Sequence, residues 1–407
     1  MIATTNPRGR IFISYCSSHS DEADKIVGSL RKRGIPTWRD RSDLGNAPTP
    51  EQLEAVIADP NTGAAVMFLS RDVIGSDYVR DLEAPMLFRR AQRRDAFFLV
   101  PIVCDGMSFE EADNLLDGHI GLPQLRNWNA ERSAENSLTV EDVERIGSSV
   151  LRKRIKAIHD LLPADDPIPI RVDTRGTAGF DPSLALWIDL TPHTAGRIFR
   201  QAAWDTQVAP LIQELREAIS VYASGRTILL NGLAAIPLGI ALGAIFSTTR
   251  GISADWLQPT QGKQPEVWSL DSAASEVGIG VRYTTQDPGA TDISLLMSVV
   301  DDVVAPFARS RRTLPRIGTL IDVTVTGYPT LDAGAARSCA DRIFEALREA
   351  RRRTGVVGTL HIFGAMPIGL AMLVGRRLNT FGEVQTYEYI AGEPVPYQPS
   401  IRFHVDS

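Results

Sequence analysis

The sequence contains little of what several classes of protein require. Its 407 residues include only three cysteines (Cys16, Cys104 and Cys339) without C-x-x-C spacing, which excludes a disulfide framework and predicts no metal site. A formal charge of −6 lacks the basic excess of a general binder of duplex nucleic acid. Residues 1–161 have neither G-x-G-x-x-G nor a P-loop lysine, the motifs that bind phosphate groups in enzymes of hydride and phosphoryl transfer, so the sequence indicates neither reaction in this part of the chain.

Signals for export or membrane insertion are also scarce. The start, MIATTNPRGR, has no apolar core of the kind that a secretory signal needs, so we expect a cytoplasmic protein. The run Ile228 to Phe246 is about long enough to cross a bilayer, but Asn231 and Pro237 interrupt it. A similar run recurs at Thr359 to Gly375 beside arginines, which favours a buried strand, turn and helix and no membrane partner.

The composition indicates a folded, modular chain. With 43% hydrophobic and 23% charged residues it lies in the globular range, and its length predicts more than one domain. Prolines 163, 167 and 169 punctuate the stretch from Leu162 to Gly176, which is typical of a linker. We therefore predict one domain over residues 1–161 and another over 177–407.

Both predicted domains are of the α/β class. In the first, strands at 11–15, 36–38, 64–69 and 97–104 alternate with helices at 21–33, 51–58 and about 76–92, which predicts a flavodoxin-like parallel sheet. In the second, the pattern P-x-G-x-A occurs at Pro237 and again at Pro367. A β-rich run and a long helix (about 196–223 and 331–353) precede each copy, and a strand follows it, so we predict two similar halves, about 177–290 and 291–407.

The segment IFISYCSSHSDEADKIVGSLRKRGIPTWRD resembles the opening of a TIR domain, and the resemblance continues to about Asp105. In that family the loop after the second strand, here Asp40 to Pro50, governs contacts between neighbouring TIR domains. Enzymatic TIR domains cleave nicotinamide from NAD⁺ with a glutamate on a helix that faces the nucleotide. Ser70, Ser76, Tyr78 and Glu83 resemble that motif, which makes Glu83 the expected catalytic residue.

The chemistry fits a carboxylate because loss of nicotinamide builds positive charge on the ribose. The spacing departs from the common one, in which the glutamate follows the aromatic residue by four positions, so Asp81 is a rival. Pro85 should kink or restart the helix beside Glu83. The resemblance further implies a substrate pocket, at the carboxyl ends of the strands, formed by Ser14, Tyr15, Trp38, Asp43 and Tyr78. Trp38 could equally pack in the core, and Cys16 is interpreted as an ordinary small residue.

Residues from Asp165 onward resemble a SAVED domain, which consists of two fused CARF-like halves and senses cyclic oligonucleotides. The motifs GLAAIPLGIALG and FGAMPIGLAMLVG carry the resemblance. Small residues between strand and helix let backbone N–H groups approach a phosphate, although they also commonly serve close packing. The resemblance implies that the cyclic nucleotide contacts Thr191, His193, Gly232, Leu233, Tyr328, Phe363, Gly364 and Met366.

The whole chain thus resembles a TIR–SAVED effector of the CBASS antiphage type. The resemblance implies that a cyclic oligonucleotide, with cyclic tri-adenylate the expected one, drives self-association into a homo-oligomer or filament and activates cleavage of the substrate NAD⁺. No prosthetic group is expected. Two alternatives stay open: a non-enzymatic TIR scaffold that recruits a partner, and a cyclase that makes a cyclic ADP-ribose isomer.

Overall fold

The computed structural model describes the chain as two compact units. The described residues are 4–39, 50–75, 79–93, 95–120, 125–128, 130–133, 137–176, 180–247, 252–260, 264–326, 331–355 and 358–405. The first unit comprises Met1–Ile170, Ala178–Ile188 and Val221–Ala223. The second comprises Arg171–Thr177, Asp189–Ser220 and Ser224–Ser407.

The first unit alternates strands and helices. Its strands are β1 (Arg10–Ser14), β2 (Thr37–Trp38), β3 (Thr62–Leu69), β4 (Phe98–Val103) and β5 (Glu131–Arg132). Its helices are α1 (Ser20–Lys32), α2 (Pro50–Ala58), α3 (Arg71–Gly75), α4 (Ala84–Ala91), α5 (Phe109–Ile120) and α6 (Val140–Leu161). Single-turn 3₁₀ segments lie at Ser17–His19 and Leu125–Trp128.

These five strands form the first sheet, in the order β2-β1-β3-β4-β5 with parallel pairing throughout. All eight residues of β3 are buried, as expected for a central parallel strand covered on both faces. The predicted flavodoxin-like sheet is confirmed, since this strand order is the flavodoxin order. The short strand β5 is additional to the four predicted strands.

The helix predicted from about residue 76 to residue 92 is interrupted at Glu83. A π-helical segment covers Val79–Glu83, and α4 begins at the next residue with Pro85 in its first turn. Pro85 has no N–H for the carbonyl four residues before it, which favours the wider π-type bond at this point. The expected effect of Pro85 is confirmed.

Three further sheets follow, of which the smallest is the antiparallel pair β8-β9, and the division between the two units passes through β6 and β7. The strands are β6 (Ile168–Asp173), β7 (Leu186–Asp189), β8 (Thr194–Ala195), β9 (Ile198–Phe199), β10 (Thr227–Asn231), β11 (Ser253–Gln258), β12 (Glu266–Trp268), β13 (Gly278–Thr285), β14 (Ile293–Ser298), β15 (Thr319–Thr326), β16 (Leu360–Ala365), β17 (Gly382–Tyr389) and β18 (Tyr397–Val405). The helices are α7 (Gln201–Ala203), α8 (Ala209–Tyr222), α9 (Ile236–Ile245), α10 (Val304–Ser310), α11 (Ala333–Thr354) and α12 (Ile368–Arg376). A π-helical segment covers Trp204–Val208, and 3₁₀ turns lie at Thr191–His193 and Arg311–Thr313.

The two larger sheets of this unit repeat one topology. The second sheet has the order β7-β6-β10-β11-β12, and the third sheet has β15-β14-β16-β17-β18 with β13 added beside β15. In both sheets a helix precedes the strand before the last (β11 and β17), and the last strand (β12 and β18) comes next in the chain and pairs antiparallel with it. The predicted duplication is therefore present in the fold.

Three details differ from the sequence prediction. The stretch predicted as a linker contains β6, a strand of the second sheet. Strand β13 lies in residues assigned to the first half, yet it pairs antiparallel with β15 of the third sheet. The long helix predicted from about residue 196 is broken, because Pro210 follows a π-helical segment as Pro85 does.

The two apolar motifs form strand–turn–helix units, and their helices α9 and α12 pack against each other. A Cβ on Gly243 would lie 2.1 Å from the carbonyl oxygen of Met372, and one on Gly375 would lie 2.1 Å from that of Ile240. Glycine is required at both positions because the two backbones touch there. Helix α9 is buried on every side, which explains its uninterrupted apolar sequence. Among the described residues, every helix is too short or too polar to span a bilayer.

Candidate functional site

Polar side chains meet at the carboxyl edge of the first sheet. Ser14 ends β1 and Cys16 follows it, while Ser70 and Asp105 follow β3 and β4. These three strands are neighbours and parallel, so their carboxyl ends lie together at the edge where open α/β sheets bind ligands.

A chain of hydrogen bonds joins Cys16, His19 and Asp105. The Cys16 Sγ lies 3.1 Å from His19 Nδ1, and His19 Nε2 lies 3.2 Å from Asp105 Oδ1. The Arg71 backbone N–H donates to the other carboxylate oxygen at 3.1 Å. Asp105 has a φ of +57°, in the left-handed region that few residues with a side chain adopt, and the two hydrogen bonds hold it there. The order thiol, imidazole, carboxylate is that of an activated nucleophile.

The electrostatics of this chain favour a charge-separated pair. Burial opposes ionisation of the Cys16 thiol, but hydrogen bonds from His19, Ser18 and Ser70 outweigh it and lower the pKa of Cys16 to about 7. The same bond to Cys16, helped by Asp105, raises the pKa of His19 to about 9 against the effect of burial. At neutral pH the imidazolium donates from Nδ1 to the sulfur and from Nε2 to the carboxylate. Cys16 is thus not the ordinary small residue expected from the sequence.

Two of the expected substrate residues are placed beside this edge. The Ser14 side chain is 1% exposed, and its hydroxyl has no hydrogen-bond partner among the described residues. The half-buried Tyr15 accepts a hydrogen bond from Arg39 Nη2 at 2.9 Å, and Arg39 also pairs with Asp24. A substrate role for Ser14 and Tyr15 stays a prediction.

Trp38 belongs to the core of the first unit. It is 8% exposed and packs on Phe12 with 5.2 Å between the ring centroids. Of the two roles expected for Trp38, this geometry corresponds to core packing, because little of the ring is free to stack on a nicotinamide.

The two candidate carboxylates differ in burial. Glu83 is 5% exposed and ends the π-helical segment, whereas Asp81 in the same segment is exposed. A buried carboxylate interacts more strongly with a nearby positive charge than an exposed one, since water screens it less. The other two expected substrate residues, Asp43 and Tyr78, lie outside the described residues.

In the second unit, a cavity of about 460 Å³ opens at the carboxyl edge of the third sheet. It lies between the ends of the parallel strands β14 and β16. From β14 the next strand is added on one side of the sheet, and from β16 it is added on the other side, and such a switch point is the usual ligand site of open α/β sheets. Its volume is within the range of small-molecule sites, about 300–1,000 Å³. The lining residues are Arg197, Ile236, Val300, Asp301, Asp302, Pro306, Gly364, Ala365, Met366, Glu388, Tyr389 and Tyr397.

An ion pair between a half-exposed arginine and a buried glutamate lies in the wall of this cavity. Arg197 Nη2 lies 2.8 Å from Glu388 Oε1, and the Glu388 side chain is 2% exposed while that of Arg197 is 51% exposed. Burial raises the pKa of Glu388 to about 7, although Arg197 and Arg175 favour its ionised form. The ion pair therefore dissociates by protonation near neutral pH.

The predicted cyclic-nucleotide residues lie at several different places in the structure. Gly364 and Met366 line the cavity. Phe363 does not: it is fully buried, stacks on Tyr387 at 4.2 Å and contacts the cavity residue Tyr397 edge-on. Its position in the interior of β16 turns the ring into the core, so direct ligand contact by Phe363 is wrong. Tyr328 lies outside the described residues.

The corresponding edge of the second sheet is closed by its own loops. The Leu233 N–H donates to Asp173 Oδ1 at 2.6 Å, and the Thr174 N–H donates to the Leu233 carbonyl at 3.0 Å. Gly232 has a φ of +131°, and a Cβ there would lie 2.2 Å from the Val172 carbonyl oxygen. This glycine is required because the turn after β10 approaches the backbone of β6 closely, which corrects the expectation that it leaves space for a phosphate.

The remaining candidates, Thr191 and His193, form the 3₁₀ turn after β7 and are partly exposed. Their role in binding stays a prediction. Sequence reasoning missed Arg197, Asp301, Asp302 and Glu388. The run ISLLMSVVDD could have revealed the aspartates, because an apolar run that ends in two acids is typical of the carboxyl end of a buried strand.

Comparisons with known proteins agree with this architecture. Residues 11–138 match the TIR domain family. Residues 211–403 match SAVED, the SMODS-associated and fused to various effectors sensor domain. No curated protein sequence matched the chain.

Similar solved structures include a SAVED/CARF-domain containing receptor, Cap4 of Acinetobacter baumannii. Its structure with the cyclic trinucleotide 3′3′3′-cAAA has a TM-score of 0.52 and 14% identity over 83% of this chain and 88% of that one. Its structure with 2′3′3′-cAAA has a TM-score of 0.50 and 14% identity over 88% and 84%. At this identity the likeness concerns the fold. The two family matches, one after the other along the chain, show a fusion of a TIR domain to a SAVED sensor domain.

Proposed function

We propose that this TIR–SAVED protein is a cytoplasmic NAD⁺ glycohydrolase of bacterial antiphage defence that a cyclic oligonucleotide activates. The observation that carries the proposal is the cavity at the strand reversal of the third sheet, in a chain whose other unit is a TIR domain. The cavity receives the activator, and the carboxyl edge of the first sheet receives NAD⁺.

Charge and shape support the sensor role. Arg197 presents a half-exposed guanidinium to the cavity, and guanidinium groups bind phosphate through paired hydrogen bonds. Tyr389, which lines the cavity and is 37% exposed, provides aromatic surface for a base. The similar Cap4 receptor was solved with cyclic trinucleotides of adenosine, so cyclic tri-adenylate is the first activator to test.

Glu83 is the proposed catalytic residue. As the bond between nicotinamide and C1′ of the ribose breaks, the electron pair leaves with the nicotinamide and positive charge develops on the sugar. A carboxylate with little exposure to water stabilises that charge more strongly than the exposed Asp81 does. Water then attacks C1′ and gives ADP-ribose, with loss of one proton.

Activation proceeds through self-association. If the cyclic oligonucleotide binds the assembled form more tightly than the free chain, mass action couples occupancy to assembly. The assembled neighbours then complete the TIR sites and preorganise them for cleavage.

The experiment is incubation of the purified full chain with NAD⁺ and a panel of cyclic oligonucleotides, with nicotinamide and ADP-ribose products separated by chromatography. The proposal expects nicotinamide and linear ADP-ribose only when an activator is present. A cyclic isomer as the main product identifies a cyclase. Ligand-driven assembly without any nicotinamide release identifies a scaffold.

A further inference from the structure

The proposed glycohydrolase chemistry leaves the chain Cys16–His19–Asp105 without a role, although it joins side chains from two separate segments. Cys16 and His19 flank the turn after β1, and Asp105 follows β4. Ser18 Oγ lies 2.9 Å from the sulfur, and Ser70 Oγ lies 3.8 Å from it. This arrangement favours the thiolate over the neutral thiol, because each hydrogen bond stabilises the sulfur in its anionic form.

We propose that Cys16 is a modification site, a thiolate held beside the His19 imidazolium that reacts with hydroperoxides at the carboxyl edge of the first sheet. Cys16 is partly exposed, whereas the imidazole is 8% and the Asp105 side chain 24% exposed. A small peroxide therefore reaches the sulfur while the groups that activate it stay largely shielded. Arg71 adds a further charged group at this point, and its guanidinium donates to the Asp105 carbonyl oxygen and to Glu111.

The reaction is a two-electron oxidation of the sulfur. The thiolate attacks one peroxide oxygen, the S–O bond forms, the O–O bond breaks, and its electron pair leaves on the other oxygen as hydroxide or alkoxide. The His19 imidazolium gives that anion a proton. The products are a sulfenic acid at Cys16, a neutral imidazole, and water or an alcohol.

The other two cysteines provide internal controls. Cys104 is 3% exposed and Cys339 is 0% exposed. Burial raises the pKa of each thiol to about 12. In the folded protein neither supplies an accessible thiolate at neutral pH, so any modification at all three positions reports unfolding.

The test exposes the full chain to a small excess of hydrogen peroxide, traps sulfenic acid with dimedone, and measures each cysteine by peptide mass spectrometry from about pH 5 to about pH 10. We expect labelling of Cys16 alone, with a midpoint near pH 7 that follows the pKa of the thiol. The variant His19→Gln keeps a hydrogen bond but loses the cation, so its midpoint should move toward the ordinary thiol value.

The expected loss of rate at pH 7 can be worked out. In His19→Gln, a return of the Cys16 pKa from about 7 to about 9 lowers the thiolate fraction at pH 7 about 50-fold. The more basic thiolate is about eightfold more nucleophilic, so the reaction with peroxide becomes about sixfold slower. The variant Ser18→Ala is the matched control: it loses the hydroxyl contacts to the sulfur and to His19 Nδ1 but keeps the imidazolium, so it should change the rate less than His19→Gln does. Equal labelling of the three cysteines in folded protein, or a Cys16 midpoint near pH 9 in the parent chain, would overturn the proposal.

Discussion

Replacing Glu388 with glutamine should raise the affinity of the cavity for an anionic ligand, by an amount that depends on pH. Ionised Glu388 occupies Arg197 and repels phosphate, so the ligand binds the form in which Glu388 is protonated. Arg175 also favours the ionised form of Glu388, and Asp301 and Asp302 line the same cavity. Glutamine has the shape of the protonated acid and cannot ionise.

The magnitude follows from the pKa of about 7. The parent chain loses affinity as the pH rises through that value, because binding must first supply a proton. The ratio of affinities, variant over parent, is then about tenfold at pH 8, about twofold at pH 7 and near one below about pH 6.

The assay is isothermal titration calorimetry of cyclic tri-adenylate at these pH values. In the parent chain, proton uptake should appear as a dependence of the heat on the buffer. The matched control is Glu383→Gln on the same strand, an exposed glutamate that pairs with Arg402 and His404 away from the cavity. A Glu388→Gln variant whose affinity equals that of the parent at pH 8 would refute the reasoning, and so would a parent affinity that does not change with pH.

Three further changes test separate parts of the account. Glu83→Gln should abolish nicotinamide release while ligand binding persists, and Asp81→Asn should retain activity; the reverse result transfers the catalytic role to Asp81. Gly243→Ala should lower the free energy of unfolding in urea by about 1–3 kcal/mol because its methyl group meets the Met372 carbonyl, and an unchanged midpoint contradicts the packing of α9 on α12. At saturating ligand, specific activity should rise with protein concentration, and the mean molar mass measured by light scattering should rise with it. Full activity in a species that remains monomeric contradicts activation by assembly.

Hydrophobic patterns and the positions of proline and glycine predicted the parts of the fold that depend on local sequence. Strands β3 and β4 are continuous apolar runs, and the two strand–turn–helix units share one pattern, so both could be recognised. Strand β6 was missed because Pro169 was interpreted as a breaker. In the structure the Pro169 carbonyl still accepts from the Ala185 N–H at 2.8 Å, a bond that needs no proline N–H.

The candidate sites were less predictable because they depend on contacts between distant segments. Arg197 and Glu388 form an ion pair although they lie near opposite ends of the second unit in sequence, and no motif near either residue indicates the pair. Cys16 and Asp105 are likewise joined only by the parallel order of β1, β3 and β4. Glu83 could be named in advance because a family motif surrounds it, and burial then distinguishes it from Asp81.

The central claim is that occupancy of the SAVED cavity controls cleavage of NAD⁺ by the TIR domain. The most direct measurement titrates cyclic tri-adenylate into the full chain and follows ligand binding and nicotinamide release on the same samples. We predict no release without ligand and a rate that rises together with occupancy to one common saturation point. Complete occupancy of the cavity with no nicotinamide released, or release at the same rate before any ligand is added, would contradict the account.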